Sequence, residues 1–373
     1  MRIRKCLSLA LTAALVTVML TGCPWDTGEE TGGDSSSSSS SSSSGSQPDD
    51  EDDEDDTGSS SRPPKPEDPE DPEDPEGPED PEGPEDPEDP GPTLEEDGYK
   101  IEEDGSYTVA TADGLAAWAN ALKGDSGIGC TLQAGITIQV PADWTSITSY
   151  SGQLNGNGST ITGLTQPLFD TIAEGGAVRN LTVKVTAEST MYDAAGMANT
   201  NRGSIIGCTV AGSVCFAGDG TGAASGIADA NYGDIIGCLV TADLTGKVDI
   251  IGDTDFSDPV SGIACTNYGD IQGCAVTGTL TGSNALLSGV SHVSFDTIKN
   301  CYWSSNTENA VTSPVGGDTG TDCARVTDWN SVLGSLNSYL TSEGLQFTLE
   351  GGELALKQTT PGGEALEMLR RLL

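Results

Sequence analysis

Four cysteines recur in one frame: Cys208, Cys238, Cys274 and Cys301. A thiol row could ligate zinc, form disulfides or pack. Zinc sites need paired spacings such as Cys-x-x-Cys, and the chain has none. Leu181 stands in the same frame, so the position reads as core and the thiols as small buried hydrophobes. Stacked side chains pointing the same way make poor disulfides even when their Cα atoms are close. Cys130, Cys215, Cys265 and Cys323 read as lying off this row, with no pairing assigned. His292, the only histidine, reads as the Ala place of a recurring Gly-Ile-Ala phrase. No motif gives it a nucleophile and an orienting acid, so it reads as structural. No Gly-x-Ser-x-Gly elbow, phosphate loop or His-Glu-x-x-His pair is present. Asp249, Asp253, Asp255 and Asp258 crowd the longest gap between repeats, with Asp253, Asp255 and Asp258 as candidate oxygen ligands for Ca²⁺. Their order lacks the central Gly and final Glu of an EF-hand, and a solvated loop is the competing reading. Otherwise no cofactor is expected. Tyr232 and Tyr268 share one repeat position, with Arg202 before them: a glycan-binding strip, or an aromatic ladder that stiffens a corner.

The element that positions these residues is a repeat. Asn201-Arg-Gly-Ser-Ile-Ile-Gly-Cys208, Asn231-Tyr-Gly-Asp-Ile-Ile-Gly-Cys238 and Asn267-Tyr-Gly-Asp-Ile-Gln-Gly-Cys274 are followed by a degenerate copy, Phe295 to Cys301. A second phrase precedes each: Ala195-Gly-Met-Ala198, Ser225-Gly-Ile-Ala228, Ser261-Gly-Ile-Ala264 and Ser288-Gly-Val-Ser291. The period is roughly 27–36 residues, the length of a solenoid coil. Each unit alternates apolar and small polar residues in short β-type runs, and none contains a convincing helix. Stacked coils share one core and place equivalent residues ~4.8 Å apart. The Cys row and a parallel row, Ile205, Ile235, Ile271 and Ile298, are then internal ladders. Gly203, Gly233 and Gly269 are expected at corners of positive φ. Asp234 and Asp270 are read as the only aligned carboxylates, about 5 Å apart at the backbone, near a retaining-glycosidase separation but without a groove or aromatic subsite.

These residues resemble the GLUG-type repeat of bacterial surface proteins, including a terminal Asn300-Cys-Tyr-Trp303. The lead-in Asp143-Trp-Thr-Ser-Ile147, then Ser151 to Gly158, resembles the same family. The resemblance covers about Gly135 to Ser305. It implies a right-handed parallel β-helix at a cell surface, with adhesin-like roles among relatives and no defined reaction.

Around this core, Arg2, Arg4 and Lys5 precede an apolar run, Leu7 to Leu20, and Leu20-Thr-Gly-Cys23 matches a lipobox. Residues 1–22 are therefore expected to be a lipoprotein signal cleaved between Gly22 and Cys23, with acyl chains on Cys23 as a membrane anchor. Residues 23–98 read as a disordered linker: polyserine from Ser35 to Ser44, an acidic block from Asp49 to Asp56, and Pro-Glu-Asp repeats from Pro66 to Pro90. The last could extend ~75 Å as polyproline II. About half of the 58 acidic residues lie there, so the net charge of −42 is not mainly a property of the folded part. Residues 99–134 read as an N-terminal cap with a helix from Ala112 to Leu122 behind Thr111. Residues 135–305 read as the β-helix. Residues 306–361 read as a C-terminal cap, with a helix from Trp329 to Tyr339 and a hairpin at Gly351-Gly352, and 362–373 as a tail.

The fold class read from the sequence is therefore all-β, a parallel β-solenoid with short helical caps behind an acidic Pro-rich linker. The function expected is display without catalysis: adhesion or interaction with glycans, matrix or surface proteins, lipid-anchored in a bacterial envelope. In a cell with two membranes the outer one is expected. The alternatives are a carbohydrate-active lyase or glycosidase and a purely structural envelope part. Few Lys and Arg and no basic patch argue against nucleic acid.

Overall fold

A computed structural model describes residues 93–191, 193–218, 222–246, 248–251, 254–282, 286–314 and 320–359, with the backbone alone at 248–251, 254–257 and 314. The signal and lipobox with Gly22 and Cys23, the linker to residue 92, Asp253 and the tail 362–373 lie outside the described residues.

Short apolar runs broken by Gly, Asn and Asp give short strands, and these stack in parallel. Cys130, Leu154, Val178, Ile205, Ile235, Ile271 and Ile298 pair neighbour to neighbour in one continuous register. They mark a β-solenoid of about seven coils. One coil shows the path. Strand Ala228–Asn231 turns at Tyr232-Gly233 into Asp234–Ile236. Leu239–Val240 and Asp243–Thr245 follow. After an antiparallel hairpin, Val248–Ile251 with Thr254–Ser257, strand Val260–Ser261 leads to the next coil. Copies of these strands form a 17-stranded, a six-stranded and a four-stranded sheet.

The shared interior is mainly aliphatic. Ile205, Ile235, Ile271 and Ile298 are fully buried, as are Cys208, Cys238 and Cys274, with Cys301 at 1% exposure. Both expected ladders are present. The cysteine row is one rung longer than the sequence suggested: Tyr302 pairs with Ala324, and the Cys301 N–H donates to Cys323 Sγ at 3.3 Å. Cys323 was hidden because no repeat phrase surrounds it.

The corner glycines act differently from expectation. Gly203, Gly233 and Gly269 do not have positive φ. They are needed because a Cβ would lie 2.0–2.2 Å from the carbonyl oxygen of the coil before. Positive φ falls instead on the residue before each cysteine: Gly207 (57°), Gly237 (61°), Gly273 (62°), Asn300 (51°) and Asp322 (55°). These are residue types that tolerate the left-handed region.

At the N-terminal side, Thr111 Oγ1 accepts the Gly114 N–H at 3.1 Å and starts the helix Ala112–Ala121. Leu115 and Trp118 are fully buried, and Trp118 meets Tyr150 edge-on at 5.4 Å. At the C-terminal side the single expected helix is split. A 3₁₀ turn, Trp329–Ser331, ends at Val332, and within Trp329 to Tyr339 only Leu333–Asn337 is α-helical. Asn330, Ser331 and Gly334 are weak helix formers, and the Asp328 carboxylate holds the Asn330 N–H at 3.0 Å. The hairpin Leu345–Glu350 and Glu353–Gln358 forms as expected around Gly351-Gly352, both at positive φ. This segment forms a strap along the flank rather than a lid over the last coil. Leu336, Leu340, Leu345 and Phe347 pack with Leu239, Ala275 and Tyr302. Leu345, Leu340 and Tyr339 sit over Gly207, Gly237 and Gly273 in turn, where a Cβ would collide with them.

Candidate functional site

The repeat phrase Asn-(Arg/Tyr)-Gly builds one corner of the solenoid. Asn201, Asn231 and Asn267 are fully buried. Asn201 Nδ2 donates to Asn231 Oδ1 at 2.8 Å, Asn231 Nδ2 donates to Asn267 Oδ1 at 2.8 Å, and Asn267 Nδ2 reaches Ser294 Oγ at 3.2 Å. The Gly203 and Gly269 N–H groups donate back to Asn201 and Asn267 Oδ1, closing an Asx-type turn. This buried amide ladder escaped the sequence reading, although the invariance of Asn among the three copies was its signal. The turn throws the next residue outward, and the glycine after it lets the coils close.

Arg202, Tyr232, Tyr268 and Phe295 therefore stack on the outside of one corner. Tyr232 and Tyr268 have ring centroids 4.7 Å apart and planes 7° apart; Tyr268 and Phe295 follow at 4.6 Å and 6°. Arg202 Cζ lies 4.3 Å over the Tyr232 ring, a cation–π contact. The three aromatic side chains keep 41–45% exposure. Phe295 is a rung that sequence reasoning missed, because its repeat copy is degenerate. The spacing matches strand separation, so ring faces inside the ladder are covered by their neighbours. Ring edges, two phenol hydroxyls and one guanidinium remain for a partner.

A second row lies on the strands before this corner. The register pairs Ala264 with Ser291, so His292 does not hold the Ala place; it stands one residue on, beside Cys265. Asn199, Asp229, Cys265, His292 and Thr312 occupy equivalent places on successive coils. A cysteine, a histidine and an aspartate thus come near one another, but their electrostatics oppose nucleophilic chemistry. Burial, with Asp229 and Asp193 nearby, pushes the Cys265 thiol up to about 12. Burial holds His292 below the usual histidine range, and its Nδ1 lies 2.6 Å from Thr312 Oγ1. Asp229 is pushed up to about 7 by burial and then by the charge and hydrogen bond of Asp193. This carboxyl pair was not visible in the sequence, since Asp193 precedes one coil and Asp229 lies within the next. Asp193 borders a hollow of about 220 Å³, below ordinary ligand size.

The remaining candidates are placed as follows. Asp234 and Asp270 do align across adjacent coils. Asp234 borders a 340 Å³ hollow with Arg179 and Arg202, and Asp270 is not among its lining residues. Asp258 is buried and its Oδ1 accepts the Gly222 N–H at 3.3 Å. Asp255 stands in the hairpin opposite Ile250, with Asp253 outside the described residues. Among the described residues no group of three His, Cys, Asp or Glu side chains is placed to hold a metal. The cysteine ladder is not disulfide-bonded. The thiols of Cys208, Cys238, Cys274 and Cys301 each have two carbonyls in reach, one of the coil before (Val178, Ile205, Ile235 and Ile271 O at 3.5, 3.5, 3.6 and 3.7 Å) and one of their own coil (Ile206, Ile236, Gln272 and Lys299 O at 3.5, 3.5, 3.4 and 3.4 Å), and Cys323 Sγ lies 3.4 Å from Thr321 O. Burial pushes Cys208 and Cys274 well above the ordinary thiol range.

Fold and corner together define a parallel β-solenoid carrying an exposed aromatic ladder. No family model matches the sequence, and comparison with curated proteins found no match. Among solved structures the chain is similar to one called IgA1 Protease, at 14% identity and a TM-score of 0.43, over 60% of this chain and 20% of that one. It is also similar to a candidate immunoglobulin A1 protease from Bacteroides ovatus, at 16% identity and a TM-score of 0.41, over 69% of this chain and 93% of that one. The chain thus spans about a fifth of the first of these.

Proposed function

We propose that this chain is a lipid-anchored bacterial surface protein whose β-solenoid works without catalysis, as an adhesion or interaction module of the GLUG-repeat type. The observation that carries the reading is the exposed ladder Arg202–Tyr232–Tyr268–Phe295. Three of the five large hydrophobic side chains exposed among the described residues are gathered there. Contiguous exposed apolar surface marks contact sites, and Tyr and Arg are the side chains that dominate binding energy at protein interfaces. Stacking has already fixed these side chains, so a partner meets a surface whose ordering cost is small. Covered ring faces favour a protein partner or a glycan bound at ring edges over a sugar lying flat on a ring. The lipobox and the acidic Pro-rich composition of residues 23–98 support a role held away from the lipid surface. The high thiol pKa at Cys265 supports the non-catalytic reading at the one place where Cys, His and Asp meet.

The test is binding of the full mature chain, without acyl groups, to an array of matrix proteins and glycans. A saturable hit weakened at least tenfold by Tyr232→Ala or Tyr268→Ala supports the ladder as contact strip. An array on which no saturable hit is weakened by either substitution refutes it. Turnover of any polysaccharide by the wild type, lost in Asp229→Asn or Asp234→Asn, would overturn the non-catalytic reading.

A further inference from the structure

We infer that the cleft between the helix Ala112–Ala121 and the segment 141–149 is a binding site for a neutral saccharide. The cleft has a volume of about 580 Å³. That lies within the range of small-molecule sites and above the hollow at Asp193. Its position explains its rigidity: one wall is a helix anchored by buried Leu115 and Trp118, and the other is fixed to the first coils by the Ile147 N–H, which donates to Leu168 O at 2.9 Å.

The lining has the mixed character a sugar requires. Leu122 and the half-buried Trp144 supply apolar surface, and Asn120 and Ser149 are exposed polar groups at the rim. Trp144 packs against the main core, so its indole is held in place. Its Nε1–H is buried and has no acceptor in the protein. With essentially no exposed surface this donor is closed to a ligand, so the indole acts through its face. A flat apolar face suits the C–H face of a sugar ring, and the exposed Asn120 and Ser149 can meet its hydroxyls. Lys123 and Asp143, the two charged residues of the lining, cancel. Residues 99–373 alone carry 29 acidic against 11 basic residues, so the field of the folded part repels anionic sugars and leaves neutral ones. This site is separate from the aromatic ladder and does not depend on it.

The experiment uses the full mature chain and a printed array of glucose-, galactose-, mannose- and N-acetylhexosamine-terminated tri- and tetrasaccharides, with uronate-containing ones beside them. The best neutral probe is then titrated by calorimetry. Trp144→Leu keeps an apolar side chain and removes the flat face. Asn120→Ala changes an exposed rim residue and leaves thermal unfolding where it was. The expected result is saturable binding of a neutral probe, weakened about tenfold by Trp144→Leu, the scale of one lost ring contact, and severalfold by Asn120→Ala, the scale of one lost hydrogen bond. Tyr268→Ala is expected to leave it unchanged. No neutral probe binding at millimolar concentration, binding confined to uronates, or binding indifferent to both cleft variants would each overturn the inference. Binding lost in Tyr268→Ala but kept in Trp144→Leu would move the sugar to the ladder, overturning the cleft while supporting the contact strip.

Discussion

Asn231→Asp replaces one buried amide by a nearly isosteric carboxyl and isolates what the amide ladder contributes. In the native corner, Asn231 Nδ2 donates to Asn267 Oδ1 at 2.8 Å and to Gly233 O at 3.0 Å, with Asp270 O at 3.5 Å. Its Oδ1 accepts from Asn201 Nδ2, and the side chain has no solvent exposure. The variant keeps that acceptor but aims a second oxygen, charged at neutral pH, at these same oxygens. Losing two hydrogen bonds costs about 2 kcal/mol, and the acceptors left unpaired with a buried charge bring the total to about 4 kcal/mol or more. Protonation restores one donor. The folded pKa of the new carboxyl is therefore raised above its unfolded value of about 3.9. The sign follows: the penalty is small below about pH 4 and grows as pH rises towards neutrality. Urea unfolding of wild type and variant, followed by circular dichroism at pH 4 and pH 7, measures the difference. A loss near 1 kcal/mol at pH 4 and about 4 kcal/mol at pH 7 is expected. Equal stability of the two proteins at pH 7 would refute the buried ladder.

Asp229→Asn tests the carboxyl pair. Because Asp229 is held up at about 7, the native state keeps a proton the unfolded state has lost, and stability falls as pH rises from about 4 to 7. The variant should flatten this slope by up to about 4 kcal/mol in urea titrations at pH 4.5, 6 and 8, three pH units at 1.36 kcal/mol each. An unchanged slope would show that the pair does not share a proton. Cys238→Ser keeps the shape but buries a more polar hydroxyl, and a loss of about 1–2 kcal/mol is expected in thermal unfolding. Gly233→Ala puts a Cβ 2.0 Å from Gly203 O, a backbone atom held by the coil, and should cost about 3 kcal/mol. Wild-type stability there would mean that adjacent coils are not in this register. Tyr268→Ala removes two ring stacks and should cost about 1–2 kcal/mol, read from the urea midpoint.

Much of the architecture was legible because a solenoid writes its fold into the chain at a fixed period. The Ile and Cys rows, the hairpin at Gly351-Gly352 and the Thr111 cap each follow from local pattern, and each was found where expected. Arg202, Tyr232 and Tyr268 were legible as one surface feature for the same reason. Errors arose where the pattern thins or ends. Cys323 and Phe295 extend their rows in places where the phrase had decayed. His292 was misassigned by one residue because its phrase keeps only two of four letters. The helix expected from Trp329 to Tyr339 was read from an Asp328 cap and apolar spacing; Asp328 does cap, but the weak helix formers behind it had the stronger effect.

The sequence by itself determined the coil, its period and the residues that face inward, since alternation and repetition are local properties that every unit repeats. Only the tertiary structure decided what lies between units. It turned corner glycines from a dihedral requirement into a steric one, because their constraint is the carbonyl of the preceding coil. It laid the C-terminal strap across the flank, because Leu340 and Leu345 need an apolar bed and the strand strip beside the glycines before the cysteines supplies it. It also brought Asp193 to Asp229, and the cap helix to Trp144, across gaps in the chain where no periodicity relates one residue to another.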